Sequence, residues 1–138
     1  CHFALFLVMV LQAAAAAAET NTAPNQLRVA VVQMAVGRNL AENRDHIISG
    51  IAEAAARGVR VVVLPESALR AERHDQPAAV DEAVSAIRRT ARERKVYVLF
   101  GGASYLHKAA REVNWMYVIG PDGQDVSYYD KLLRSTPR

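Results

Sequence analysis

The stretch VRVVVL, Val59 to Leu64, is apolar at every position after Arg60 and runs straight into Pro65 and Glu66. Its β-branched residues favour extended backbone. A strand apolar on both alternations expects cover on both faces, which is the habit of a central parallel strand. Parallel neighbours cannot be joined by a tight turn and need crossovers of about a dozen residues or more, usually helical. The sequence around this run therefore has to supply helices.

It supplies two. In NLAENRDHIISGIAEAAARG, Ile47, Ile48, Ile51, Ala52 and Ala55 recur at helical spacing, with Asn39 placed to cap the start and Gly58 to stop the end. Gly50 weakens this helix without breaking it. After a polar segment from Glu66 to Ala79, Val80, Ala83, Val84, Ile87 and Ala91 share one face of a second helix. Asp81 and Glu82 lie early in it and Arg88, Arg89, Arg92, Arg94 and Lys95 late, an order that complements the helix dipole.

LRVAVVQM from Leu27 reads as an opening strand, and VYVLFGG, Val96 to Gly102, as a third. Beyond Ala103 the helical period disappears. ASYLH, EVNWMYVIG and QDVSYYDK read as strands, turned at Lys108 to Arg111 and at GPDG, Gly120 to Gly123. The expected order is β-α-β-α-β followed by β-β-β, an α/β fold with a parallel centre extended by antiparallel hairpins.

A chain of 138 residues, 51% hydrophobic and 22% charged, suits one globular domain. The net charge of +3 comes from Lys and Arg interleaved with Asp and Glu, which gives no basic stripe for nucleic acid. FALFLVMVL followed by QAAAAAAET reads as a secretory signal over residues 1–18, cleaved near Ala18, although an initiator Met and a positively charged n-region are missing. The expectation is thus export to the periplasm or outside the cell, with no membrane association once the signal is cut. Residues 19–26 read as a linker, and residues 27–138 as the folded portion. Cys1 is the only cysteine, so no disulfide forms within one chain, and it is given no role.

Ligands of such sheets gather at the carboxyl ends of the strands. Glu66 is expected there on a backbone stiffened by Pro65, where partial desolvation would suit a general base. A solvated acid covering a strand end is the commoner arrangement for these residues. Lys131 in SYYDKLL could stabilise oxyanion charge, although most lysines are surface residues. His2, His46, His74 and His107 show no pair at metal-ligand spacing, so neither metal nor nucleotide has support, FGGAS lacking both phosphate-loop patterns. Ser67 and Ser104 have no nucleophile-elbow context. The aromatics Trp115, Tyr117, Tyr128 and Tyr129 read as sheet-face residues.

Four segments taken together, RVAVVQM, RVVVLPESAL, NWMYVIGPDG and YYDKLL, resemble the first half of the nitrilase superfamily, the carbon-nitrogen hydrolases, in the family's order. The resemblance extends from Leu27 to about Leu133, and it reverses the weighting for Glu66. It implies part of a four-layer α-β-β-α sandwich, homo-oligomeric when full length, acting on a small amide or nitrile without metal or organic cofactor. It implies a Glu-Lys-Cys triad, with Glu66 as general base and Lys131 as oxyanion stabiliser. The family's cysteine follows the lysine by some tens of residues and has no counterpart here. The expectation is an N-terminal portion that is inactive by itself, with a non-catalytic binding domain or an amide-forming acyltransferase as alternatives. The segment KLLRSTPR also departs from the K-x-H-L pattern of many members.

Overall fold

The computed structural model describes residues 26–72, 74–75, 77–106 and 111–131. The expected signal, Cys1, His2 and His107 lie outside the described residues. Two helices and six strands follow one another as β1 (Val29–Val31), α1 (Leu40–Ala56), β2 (Val61–Val63), β3 (Leu69–Arg70), α2 (Pro77–Arg94), β4 (Tyr97–Leu106), β5 (Arg111–Ile119) and β6 (Asp125–Asp130). They build one mixed sheet in the order β1-β2-β4-β5-β6, with β3 also paired to β4.

The strands β1, β2 and β4 run parallel, and both crossovers step in the same direction. Right-handed crossovers that step one way place their helices on the same face, and α1 packs on α2 there. Ile47, Ile51, Val84 and Ile87 from the helices meet Val62, Val98, Phe100 and Ile119 from the sheet, all nearly free of solvent. Each such side chain stabilises the fold by about 2 kcal/mol on burial. Asn39 caps α1 as the sequence indicates, its side chain accepting from the amides of Ala41 and Glu42, and the chain leaves the helix at Arg57 and Gly58.

Several boundaries differ from the sequence reading. The second helix begins at Pro77, three residues before Val80, because proline suits the first helical position where no amide partner is lost. Asp81 and Glu82 consequently fall outside its first turn, and only the basic end complements the dipole. VYVLFGG and ASYLH are not two strands but one ten-residue strand, β4, continuous through Gly101 and Gly102. The short strand β3 lies inside the segment expected to be a polar loop.

The described residues also cover only one face of the sheet. On the other, the open face, Val29, Val31, Tyr97, Met116 and Tyr129 are exposed and Val61 and Val63 half-buried, so the described residues supply one of the two covers expected at VRVVVL. No helix among the described residues is long and apolar enough to cross a membrane.

The hairpin β5–β6 is fastened to α2 by Arg88, whose Nε and Nη2 donate to the two carboxylate oxygens of Asp125 at 2.9 and 2.6 Å. The same guanidinium lies 5.4 Å from the centre of the Tyr117 ring, which in turn packs on Tyr128. Burial raises the Tyr117 hydroxyl above the ordinary phenol value, and burial together with the hydrogen bond to Asp130 does the same for Tyr128. Since the neutral phenols are the form the fold prefers, their stabilisation is complete below about pH 10, the unfolded value, and is lost as pH rises through the folded values. Half of Tyr128 faces solvent, which reduces its share. Urea midpoints are expected to stay level from pH 8 to about 9.5 and to fall above about 10. Tyr117→Phe should flatten that fall.

Candidate functional site

The strand that pairs with β4 is broken in its middle. Val63 sits opposite Leu99 and Leu69 opposite Gly102, so residues 64 to 68 on one side face only residues 100 and 101 on the other. The ladder is intact up to the break and beyond it: the Leu64 amide donates to the Leu99 carbonyl, and the Ala71 amide to the Ala103 carbonyl, both at 2.8 Å. Extra residues in one strand are forced outward as a bulge, a device that re-aims a side chain. Glu66 is at its apex. Glu66 thus follows the carboxyl end of a strand, β2, as the sequence indicates, and the pairing with β4 then resumes at β3.

The bulge is held by its own residues. The Ala68 amide donates to the Pro65 carbonyl at 3.2 Å, and Ser67 takes a left-handed conformation with φ of 57°. A serine there costs of order 1 kcal/mol, and such strain persists only where the surroundings over-determine it. Gly101 lies beneath. A Cβ on it would come within 3.0 Å of the Ser67 nitrogen and 3.2 Å of the Glu66 Cα. Gly101→Ala should therefore displace the bulge by a few tenths of an ångström. We expect a loss of about 1 kcal/mol in stability, checked by urea denaturation, together with an amide shift at Ser67 in NMR spectra.

The far end of the bulge is tied to the helical layer by Asn43, which is 1% exposed. Its Oδ1 accepts from the Gly37 amide, and its Nδ2 donates to the carbonyls of Gly37 and Arg70 at 3.0 and 3.3 Å. The sequence reading missed this residue. Its signal was a polar side chain one helical turn before Ile47, on the stripe that should be apolar.

Lys131 follows the last residue of β6 and is placed by strand register, its amide donating to the Asn114 carbonyl at 2.8 Å. Its Nζ lies 2.7 Å from Glu66 Oε1, although the two residues are 65 positions apart. The structure thus brings together the two candidate site residues. The pair borders a pocket of about 500 Å³ on the open face, floored by Leu99, Gly101 and Met116 and flanked by Asn114 and Tyr129. The Glu66 side chain is 66% exposed, so the described residues do not supply the desolvation that the sequence argument supposed for it. An ion pair this exposed adds at most about 1 kcal/mol to stability.

Of the serines, Ser104 accepts a hydrogen bond from Trp115 Nε1 at 3.1 Å. No cluster of three or more His, Cys, Asp or Glu able to hold a metal ion occurs among the described residues.

With this arrangement in hand, the family can be assigned. Residues 28–136 match the family model described as carbon-nitrogen hydrolase. The chain belongs to the carbon-nitrogen hydrolase family.

Its sheet of six strands and two helices matches the fold of solved nitrilase-superfamily amidases. A cysteine-to-alanine mutant of the amidase from Nesterenkonia sp. AN1, in complex with butyramide, superposes with a TM-score of 0.70 at 19% identity, over 80% of this chain and 45% of that one. A double mutant of the same amidase, in complex with acrylamide, gives 0.66 at 18% identity over 80% and 45%. A cysteine-to-serine mutant, described as an amidase from the nitrilase superfamily, gives 0.67 at 20% identity over 83% and 46%. The chain therefore spans less than half the length of these solved relatives. Comparison with curated proteins gave no match.

Proposed function

We propose that Glu66 and Lys131 are the base and the oxyanion-stabilising cation of a carbon-nitrogen hydrolase acting on a small amide or nitrile. The observation that carries this is the 2.7 Å contact between two groups 65 residues apart, one on a strained bulge and one on a strand end, at the rim of a single pocket. An exposed pair contributes too little stability to explain the strain beside it. The Nesterenkonia amidase adds support, its glutamate mutants having been captured with acrylamide or an acetamide moiety added to the active-site cysteine.

In this mechanism the Glu66 carboxylate takes the proton of a cysteine thiol as the sulfur attacks the amide carbon. The carbonyl oxygen becomes an oxyanion, and the Lys131 ammonium stabilises the charge that develops there. Glu66 returns the proton to the departing nitrogen, leaving an acyl thioester and ammonia. It then takes a proton from water, the hydroxide attacks the thioester carbon, and acid and free thiol are released. An amine in place of water would make the same intermediate an acyl donor.

The 138 residues hold one cysteine, Cys1, outside the described part and before the apolar run, and it is not this nucleophile. These residues alone should release no ammonia from a panel of small amides. A gene product extended through a later cysteine should do so and should be inactivated by iodoacetamide. Equal turnover by both forms would remove the triad assignment. A non-catalytic amide-binding domain is the second reading, favoured if the natural gene encodes no cysteine after Lys131. It predicts amide binding without turnover in the natural gene product. Export of the protein and assembly into homo-oligomers belong to the same proposal, testable by cell fractionation and light scattering.

A further inference from the structure

Cations that the sequence interleaves with acids are gathered by the fold at one end of the sheet. Arg60 precedes β2, and Arg92, Arg94 and Lys95 close α2; together they line a cavity of about 680 Å³ between the last turns of α1 and α2 and the turn at Pro121. Arg28, which precedes β1, stands at its margin, with Nη1 3.2 Å from the place a Cβ would take on Gly58, another lining residue. Arg60 and Glu66 stand at opposite ends of β2, so this cavity is not the pocket of the Glu66–Lys131 pair.

Charge is left uncompensated here. Elsewhere Arg44, Arg57, Arg70 and Arg88 each pair with a carboxylate. Among the described residues Arg28, Arg60, Arg92, Arg94 and Lys95 make no ion pair, and all five are exposed. Asp122 is the one acid among the described lining residues, and its Oδ1 accepts from the Gln124 amide at 3.0 Å. The helix dipole accounts for cations in the last turn of α2, but not for Arg28 and Arg60, which belong to strand starts. Lys95 points the same way. Both helices leave by one main-chain motif, the Val59 amide donating to the Ala54 carbonyl after α1 and the Val96 amide to the Ala91 carbonyl after α2. The residue before each of those amides must be left-handed. After α1 it is Gly58, with φ of 71°; after α2 it is Lys95, with φ of 54°. Glycine fills that position without strain, and a side chain held there against strain points to a functional demand.

We propose that this cavity binds the diphosphate group of a small molecule through Arg60, Arg92, Arg94 and Lys95. Guanidinium forks arriving from a strand start and from a helix end can each take a different edge of a tetrahedral phosphate, whereas a carboxylate offers one plane. Four cations against one carboxylate leave an excess of three positive charges, which matches the charge of about three that a diphosphate carries near neutral pH. The carbonyls of Ala54, Ala55, Ala91 and Arg92, which would repel an anion, already accept from main-chain amides. Ala55, Val59 and Pro121 give an apolar wall for the rest of the ligand, and a hollow of this kind suits a compact soluble molecule rather than a membrane surface.

The test is calorimetric titration of the natural gene product with sodium pyrophosphate at fixed ionic strength. Arg60→Gln and Arg92→Gln should each weaken binding by about fivefold or more. Arg89→Gln, which removes an exposed cation of α2 outside the cavity, should change it by less than about twofold. Asp122→Asn keeps an oxygen to accept from Gln124 and should tighten binding about twofold. Lys95→Gly should weaken binding by about fivefold while raising the thermal midpoint, opposite signs that a merely structural lysine would not give. Citrate, of similar charge, should bind about tenfold more weakly than pyrophosphate. No binding of pyrophosphate, equal losses in Arg60→Gln and Arg89→Gln, or citrate binding as tightly as pyrophosphate would overturn the site. Attachment to phosphatidylglycerol vesicles without binding of pyrophosphate would overturn it too, in favour of a membrane.

Discussion

Glu66→Gln in the complete enzyme is expected to lower kcat for amide hydrolysis by about three orders of magnitude, with KM changed less than about threefold. Glutamine keeps the length and an oxygen that can still accept from Lys131, so the geometry of the pair survives while the capacity to take a proton is lost. The fold should survive too. The Glu66 side chain is 66% exposed and its one described hydrogen bond goes to Lys131, so the bulge rests on Pro65, Ser67 and Gly101 rather than on the carboxylate. Stability should fall by under about 1 kcal/mol, which circular dichroism and urea titration would show. Lys131→Met should cost about two to three orders of magnitude in kcat, and the double mutant little more than Glu66→Gln alone, because groups that act on one transition state are not additive. A Glu66→Gln enzyme retaining a tenth or more of the wild-type kcat would dispose of the base assignment. So would a loss confined to KM.

What the sequence disclosed and what it withheld divide along physical lines. The apolar stripes of α1 and α2, the cap at Asn39 and the parallel-then-antiparallel order are consequences of periodicity and turn chemistry, and these are written locally. The bulge is not. LPESAL keeps the apolar character of a strand on both sides of Glu66, so nothing in the pattern marks residues 64 to 68 as excess over residues 100 and 101. The excess exists only relative to β4, a partner some 30 residues away. Lys131 shows the same limit. Its contact with Glu66 depends on the registers of β4, β5 and β6 together, and no spacing rule reaches across 65 residues. Only the resemblance of four ordered segments paired them beforehand. Asn114 escaped notice for a like reason, since its carbonyl matters through the register that seats Lys131.

The two glycines of FGGAS face opposite sides of β4, which continues through both. Gly101 admits the Glu66 bulge on the open face. Gly102 admits Trp115 on the helical face, and there the fit is far tighter. A Cβ at Gly102 would lie 2.0, 2.2 and 2.4 Å from Cη2, Cζ2 and Cζ3 of the Trp115 ring. The ring cannot yield cheaply. It is 7% exposed, its Nε1 donates to Ser104 Oγ at 3.1 Å, and it packs edge-on against Phe100 and Tyr117 at 5.8 and 5.2 Å between centroids. Gly102→Ala should therefore cost about 3 kcal/mol, the upper end for overpacking, and lower the thermal midpoint by roughly 10 °C. Trp115 is the sole tryptophan, so its near-ultraviolet circular dichroism should change with the stability. Gly101→Ala should cost a third as much and leave that signal unaltered. If Gly102→Ala lost less than about 1 kcal/mol, the Trp115 ring would have to move freely, and the aromatic cluster could not be what holds β4 and β5 in the register that seats Lys131.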